Sequence, residues 1–228
     1  MSTYHSKKAK EFLKDPKKVE RHDHTFWSLR QKRDAAAAEL PEWEDLREHA
    51  SRIKEHTATH LADYLEQFSN SLERNGVIVH FAKDAQEFNE MVYGILESHK
   101  VKKLVKSKSM LTEECEMNAY LIKRGINVVE SDLGERILQL MHLKPAHIVM
   151  PAIHLTRDEI GEMFEEKGIS KEKGNHDPAY LTRCAREDLR GDFMDADAGL
   201  TGCNFGVAAT GDCVVCTNEG NADMSTSV

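Results

Sequence analysis

The fold is decided by residues 103–141, which read KLVKSKSMLTEECEMNAYLIKRGINVVESDLGERILQLM. Within this stretch, a short apolar run is twice followed by a segment whose apolar residues recur at helical spacing. The same alternation is found once before the stretch and once after it. Four strand-helix units in succession predict an α/β fold, with a mainly parallel sheet flanked by helices. The predicted strand and helix of each unit span 77–81 and 85–98, 103–105 and 111–123, 126–129 and 133–141, and 147–150 and 157–167.

The sequence after the fourth unit predicts one long helix and then short strands. Apolar residues keep helical spacing over 178–194, and the segment beyond is rich in glycine. A hairpin turn is predicted at 209–212, which reads ATGD. The predicted strands span 198–201, 205–209 and 213–217.

The N-terminal third of the chain predicts helices only. Two amphipathic helices are expected within an extension over 25–72, with a break near Pro41. Residues 1–24 carry seven basic and four acidic side chains and few apolar ones, so we expect a flexible arm that a partner would hold. The α/β domain then covers 73–228. Because its last segment is rich in glycine and asparagine and lacks a closing element, we expect this domain to be truncated at its C-terminal end.

The charge balance argues against a nucleic-acid partner. The formal net charge is -8, and the whole acidic excess lies after residue 72. No run approaches the roughly 20 apolar residues that cross a bilayer. The Lys-rich N-terminus lacks the apolar segment of a secretory signal. We therefore expect a cytoplasmic protein without a membrane span.

The five cysteines are expected to be free thiols that hold no metal. Their odd number and irregular spacing fit a reducing compartment. Cys213 and Cys216 form a Cys-x-x-Cys pair, but residues three apart on a strand point to opposite faces, and no second pair completes four ligands. The cysteines are Cys115, Cys184, Cys203, Cys213 and Cys216.

Candidate chemistry lies in the loops after the predicted strands, because ligands of open α/β sheets bind at the carboxyl ends of strands. The loop after 103–105 contains Lys106, Ser107, Lys108 and Ser109. Two ammonium groups and two hydroxyls at the start of a helix predict a site for a carboxylate or a phosphate. An alternative stays open, in which Ser109 caps the helix and the lysines are surface charges.

Two further loops offer acid-base groups. Glu130, Asp132 and Glu135 follow the strand at 126–129 and could supply a general base or a metal ligand. Capping of the next helix explains acidic residues there more simply. His154 follows the strand at 147–150, where an imidazole could transfer protons, although it is one of twelve histidines.

The most unusual strings are TGCNFG at 201–206 and TNEGNAD at 217–223. They supply side-chain amides, a carboxylate and glycines, which suit close backbone approach to a polar ligand. The candidate binding residues are Asn204, Asn218 and Asn221, and Glu219 is the candidate carboxylate.

Read together, these motifs resemble the LUD-domain family, and within it the iron-sulfur subunits of bacterial lactate-utilisation systems. The resemblance covers the chain from about residue 25 to its end. It is carried by RQKR at 30–33, WEDLR at 43–47, VKSKSM at 105–110, TEE at 112–114, VESDLGE at 129–135, HIV at 147–149, PAIH at 151–154, AD at 196–197, TGCNF at 201–205 and TNEGNAD at 217–223.

The resemblance implies a fold like that of the sugar-phosphate isomerase and CoA-transferase superfamily. It also implies an oxidoreductase complex that oxidises L-lactate to pyruvate, with sister lactate-utilisation subunits as partners and a small carboxylate as substrate. Family members of this type hold [4Fe-4S] clusters in a ferredoxin-like segment that is absent here, so we expect no cluster on this chain.

Three interpretations of the domain stay open. In the first, a pocket lined by 106–109, His154, Asn204 and Glu219 binds the small carboxylate, with Glu219 and His154 as the catalytic candidates. In the second, the domain is a non-catalytic assembly module whose helical extension binds the sister subunits. In the third, it is an isomerase or CoA-transferase-like binding domain, and Glu219 is its reactive carboxylate.

Overall fold

The computed structural model describes residues 3–217 and 219–228, and the chain divides into two compact units with a boundary after Tyr64. The first unit is helical. Asp15 begins its longest helix, because its side chain accepts hydrogen bonds from the backbone N–H groups of Lys17 and Lys18 and Pro16 occupies the first turn. The helices are α1 (Thr3–Phe12), α2 (Pro16–Ala38), α3 (Trp43–Thr59) and α4 (Leu61–Arg74), the last of which continues into the second unit.

The segment expected to be a flexible arm is helical over Thr3–Phe12 and from Pro16 onward, and its flexibility stays a prediction. The composition of 1–24 does not predict these helices. The Asp15-Pro16 pair does, because it is a local signal for the start of a helix. The break expected near Pro41 lies between α2 and α3. A second break follows α3, where the ring Nδ1 of His60 lies 2.9 Å from the carbonyl oxygen of His56. The dependence of the arm on a partner stays a prediction.

A three-stranded parallel sheet forms the centre of the second unit. Its strands are β1 (Lys103–Lys106), β2 (Asn127–Glu130) and β3 (Ala198–Leu200), in the order β2-β1-β3. Val105 of the central strand is paired with Val129 on one side and Gly199 on the other. The prediction of an α/β fold with a parallel sheet is confirmed.

Helices cover both faces of this sheet because successive strand residues point to opposite sides. Leu104 packs with Met117 and Leu121 on one face, and Val105 packs with Leu189 on the other. A further apolar cluster, around Phe164, joins three of the helices. The helices are α5 (Ala85–Ser98), α6 (Met110–Glu114), α7 (Met117–Ile122), α8 (Leu133–Met141), α9 (Arg157–Glu166), α10 (Pro178–Met194) and α11 (Asn221–Ser225).

Two of the four predicted strands of the alternation do not form. The residues at 77–81 and 147–150 lie outside any strand, and Ile78 and Val149 are 77% and 72% exposed. The second segment turns on itself because the ring Nδ1 of His147 accepts hydrogen bonds from the backbone N–H groups of Val149 and Met150. The sheet takes its third strand from β3, which lies far along the chain.

A hairpin follows β3, as predicted. Its strands β4 (Phe205–Val207) and β5 (Asp212–Val214) pair antiparallel. Gly211 has a φ of +80° in the turn, and its backbone N–H donates to the carbonyl of Val207 over 2.8 Å. The hairpin packs on α4, whose Ser71 hydroxyl donates to the carbonyl of Ala208. In the part of the chain that the structure describes, no helix is long and apolar enough to cross a bilayer.

Candidate functional site

The carboxyl ends of the three parallel strands meet at one edge of the sheet, and hydroxyl side chains follow each of them. The hydroxyl of Ser107 donates to the hydroxyl oxygen of Thr201 over 2.6 Å, which joins the ends of β1 and β3. Ser131, after β2, donates its hydroxyl to the carbonyl of Lys106 over 3.0 Å. We call this group of loops the sheet-edge site, defined by Ser107, Lys108, Ser131, Thr201 and Glu219.

Lys106 does not belong to the sheet-edge site, although the sequence placed it there. It is the last residue of β1 and lies in register with Glu130, the last residue of β2. The side chain is fully buried, with Nζ 3.0 Å from Oε1 of Glu130 and 3.9 Å from Oε2 of Glu135. The Lys106 ammonium thus faces two carboxyl groups inside the protein. This geometry does not support its predicted role as an anion ligand.

The buried charge cluster of Lys106, Glu130 and Glu135 holds an acid that keeps its proton. The pKa of Glu135 is raised to about 10, first by burial and then by the neighbouring Glu113 and Glu130, while Lys106 opposes the rise. Glu130 accepts a further hydrogen bond from the side-chain amide of Asn118. At neutral pH Glu135 therefore keeps its proton beside Lys106 and Glu130.

The capping interpretation of the second loop accounts for only one of its three acids. Asp132 caps α8, because its side chain accepts a hydrogen bond from the backbone N–H of Glu135 over 3.0 Å. Glu130 and Glu135 point into the buried charge cluster instead. Lys106 and Glu130 each follow two apolar residues in the sequence, but only the structure shows that their strands are adjacent and that the two residues are in register.

Lys108 and Glu219 are predicted residues that lie on neighbouring loops, close enough for the Lys108 ammonium to influence the Glu219 carboxyl group. Oε2 of Glu219 accepts a hydrogen bond from the backbone N–H of Leu133, at the start of α8, over 3.3 Å. The pKa of Glu219 is raised by partial burial of its carboxyl group and by Asp132, and lowered by Leu133 and by Lys108. The Lys108 ammonium donates to the carbonyl of Val149 over 3.0 Å, which leaves it two more protons to donate.

Helix α11 and a proline close this edge of the sheet. A side chain at Gly199 would lie 1.6 Å from the carbonyl oxygen of Ser225, so glycine is required where α11 crosses β3. The hydroxyls of Ser131 and Ser225 lie 3.4 Å apart. Pro151 packs against Gly134, where an added Cβ would lie 2.9 Å from the proline ring. Because the loop with Glu219 directly precedes α11, this packing places the loop near the carboxyl ends of the strands.

The other predicted site residues lie outside the sheet-edge site as defined here, and several of them contact the backbone of their own loop or helix. Asn204 accepts a hydrogen bond from the backbone N–H of Cys216 and so closes the hairpin. Ser109 precedes α6 without a side-chain cap bond, and its carbonyl accepts from Thr112. The carbonyl of Asn221, the first residue of α11, accepts from the Ser225 hydroxyl. His154 is half-buried in the turn after Pro151, and Asn218 lies outside the described residues.

The arrangement at the sheet edge suits a small anion with a hydroxyl group. Lys108 supplies a cation, Ser107 and Thr201 supply hydroxyls, and Glu219 supplies a carboxyl group with a raised pKa. Within 3–217 and 219–228, no group of three or more His, Cys, Asp or Glu side chains is placed to hold a metal ion.

Comparison with known proteins identifies relatives over most of the chain. A family model described as the LUD domain matches residues 65–228. Lactate utilization protein B of Oceanobacillus iheyensis is 47% identical over 201 residues, which cover 88% of this chain and 41% of that protein. The Bacillus pumilus protein of the same name is 47% identical over 201 residues, covering 88% of this chain and 42% of its own length. The chain thus spans about two fifths of the length of these relatives. No solved structure matches it, so the likeness to the isomerase and CoA-transferase superfamily stays a prediction.

Proposed function

The chain belongs to the LUD-domain family, and on this basis we propose that it works in lactate utilisation, within a protein that takes part in oxidising L-lactate to pyruvate. The observation that carries the proposal is the 47% identity to a lactate utilization protein B across 88% of this chain. The sheet-edge site supports the proposal because its groups match the two functional groups of lactate, a carboxylate and a hydroxyl.

The substrate carboxylate would be bound by Lys108. Lys108 retains two protons beyond its bond to Val149, and a charged hydrogen bond to a carboxylate is stronger than a neutral one. The Ser107 hydroxyl donates its proton to Thr201, and Thr201 donates its own to the carbonyl of Gly202, so these two hydroxyls remain available to a ligand as acceptors.

Glu219 would accept the proton that leaves the substrate hydroxyl. Desolvation of its carboxyl group and the nearby Asp132 raise the pKa of Glu219, which makes the carboxylate a stronger base than a glutamate with the ordinary pKa. The bond from Leu133 N–H fixes one carboxylate oxygen and leaves the other to face a ligand. His154 stays a second candidate for proton transfer.

The residues of this chain do not fit an iron-sulfur cluster. The five cysteines are free thiols, and among the described residues they form no set of ligands that converges on one point. If a [4Fe-4S] cluster takes part in the reaction, we propose that residues other than these hold it. The role that we propose for this chain is limited to binding the hydroxy acid and accepting its proton.

A second candidate function is that of an assembly module. Its support is the helical unit, in which α2 and α3 have no buried residue and several large apolar side chains are exposed. Trp27, Leu46 and Ile53 are among them, and Leu13, Val19 and Trp27 line a groove along the first half of α2. Sister lactate-utilisation subunits are the partners that we propose for this surface.

Gene deletion tests the proposed function. A strain without the gene should lose growth on L-lactate and keep growth on pyruvate. The wild-type gene should restore growth on L-lactate. Unchanged growth on L-lactate would contradict a role in lactate utilisation.

The same strain separates the two candidate functions. A gene with Lys108→Met should fail to restore growth if the sheet-edge site binds substrate, although the variant protein still copurifies with its partners. If the helical unit is an assembly surface, a gene with Trp27→Asp and Ile53→Asp should fail to restore growth on L-lactate. The variant protein should also no longer copurify with its partners. Full growth with Lys108→Met would leave only the assembly function.

A further inference from the structure

The turn at 146–151 holds the side-chain end of Lys108. The carbonyl oxygen of Val149 accepts a hydrogen bond from the Lys108 ammonium over 3.0 Å. The turn itself is closed by a bond of 3.0 Å from the backbone N–H of Ala146 to the carbonyl of Pro151. Lys108 lies on another loop, 41 residues before Val149 in the sequence. The place of its ammonium group therefore depends on the conformation of this turn.

His147 determines the direction of the Val149 carbonyl. The ring Nδ1 of His147 accepts hydrogen bonds from the backbone N–H groups of Val149 and Met150, each over 3.1 Å. The N–H of Met150 and the carbonyl of Val149 belong to one peptide unit, which is planar and trans. In a trans unit these two groups point in opposite directions. The ring that holds the N–H therefore directs the carbonyl away from itself, toward Lys108.

Burial of apolar side chains does not explain the conformation of this turn. Ile148 and Val149, at its centre, are 64% and 72% exposed. The end of the turn is anchored, because Pro151 is buried and packs against Gly134. The hydrogen bonds to the His147 ring thus fix the central peptide unit.

The backbone of Lys108 is held by the loop after β3. A side chain added at Gly202 would lie 3.1 Å from the carbonyl oxygen of Lys108. The backbone N–H of Ser107 donates to the carbonyl of Leu200 over 2.9 Å. This loop fixes where the lysine side chain begins, and the turn at 146–151 fixes where it ends. A lysine that is held at both ends loses less conformational freedom when an anion binds to it.

We propose that His147 is a positioning residue of the sheet-edge site, which holds the Lys108 ammonium in place for an anion by fixing the peptide unit of Val149 and Met150. His147 acts through these residues and not on the ligand. The inference rests on the proposed function, in which Lys108 binds the substrate carboxylate. The positioning itself can be measured without lactate.

Two substitutions separate the hydrogen bonds of the His147 ring from its bulk. His147→Leu removes the acceptor and keeps a large side chain. His147→Asn keeps an acceptor, since an asparagine side-chain oxygen readily accepts from the backbone N–H two residues later. His99→Leu is the matched control, because His99 is exposed and precedes β1, toward the opposite edge of the sheet. Melting curves identify a temperature at which all variants are folded.

The first measurement is the rate at which an N-hydroxysuccinimide ester acylates Lys108, with the exposed Lys102 of the same sample as the reference. The bond to Val149 favours the protonated amine, which does not react. The rate of Lys108 relative to Lys102 should therefore rise about three- to tenfold in His147→Leu, the range that corresponds to losing one hydrogen bond. It should be unchanged in His147→Asn and in His99→Leu.

The second measurement is a calorimetric titration with L-lactate. His147→Leu should weaken binding about three- to tenfold, and His147→Asn should have the wild-type affinity. If wild type binds no lactate but the Lys108 rates follow the expected order, the proposed ligand is wrong and the positioning role is supported. Unchanged Lys108 rates in His147→Leu, or equal increases in both His147 variants, would overturn the positioning role even if lactate binds. An unchanged lactate affinity of His147→Leu would overturn it as well.

Discussion

Nζ of Lys106 lies 3.0 Å from Oε1 of Glu130, and both residues are the last of adjacent parallel strands. Their side chains are almost fully buried. Taking both charges out of water is costly, so the pair is tolerated only because the two groups neutralise each other. This relationship fixes the ends of β1 and β2 directly below the loops of the sheet-edge site.

Removing the lysine from this pair should destabilise the protein strongly. Lys106→Met leaves the Glu130 carboxylate buried without its cation, which typically costs about 3 to 5 kcal/mol in the free energy of unfolding. Urea unfolding at neutral pH measures this loss. Lys102→Met, which removes an exposed lysine four residues earlier, should change stability by less than about 0.5 kcal/mol. Equal effects of the two substitutions would contradict a buried pair.

Glu135 should make the protein less stable as the pH rises. Its pKa is about 10 in the folded protein against 4.5 when it is free, so above about pH 4.5 the unfolded chain ionises this group while the folded chain retains the proton. The free energy of unfolding then falls with increasing pH. Glu135→Gln removes the titration, and its stability relative to wild type should increase between about pH 5 and pH 8. Urea unfolding at the two pH values tests the direction, and a parallel pH dependence of both proteins would show that Glu135 is ionised when folded.

Gly199→Ala should displace α11 from the sheet. The added Cβ would lie 1.6 Å from the carbonyl oxygen of Ser225, a distance at which backbone atoms must move. Hydrogen exchange should then increase at 221–226, with little change in α10. Gly191→Ala is the matched control, since nothing lies within 4 Å of a side chain added there. Unchanged exchange at 221–226 would contradict the packing of α11 against β3.

The sequence predicted the elements that have local signals. Helix α8 has its bounds at 133–141 as expected, because Asp132 caps it, and α10 begins after Asp177 at Pro178. The strand expected at 147–150 fails because the His147 ring binds the backbone of its own turn, which apolar periodicity does not report. The strand expected at 77–81 does not form either, and here the reason is different: a β-branched run does not reveal whether a partner strand is available.

The sequence predicted that the candidate residues lie after the strands. It did not predict that they divide into the sheet-edge site and the buried charge cluster. Parallel strands place their carboxyl ends together, and the loops of Lys108 and Glu219 lie at that edge of the sheet. Ligand binding by these loops stays a prediction. The register that pairs Lys106 with Glu130 arises from contacts 24 residues apart in sequence, so one sequence could not show that Lys106 is withdrawn from solvent. Asn204 was selected as a ligand because an amide suits polar recognition, yet its oxygen is used by the hairpin.

The most direct test of the central claim is a calorimetric titration of the purified protein with L-lactate. We expect saturable binding that Lys108→Met weakens by about ten- to a hundredfold, the effect of losing one charged hydrogen bond. Lys102→Met should leave the affinity within about twofold of wild type, since diffuse surface charge contributes little at physiological salt. Equal affinities for all three proteins, or no heat of binding from wild type, would contradict a lactate site at the sheet edge.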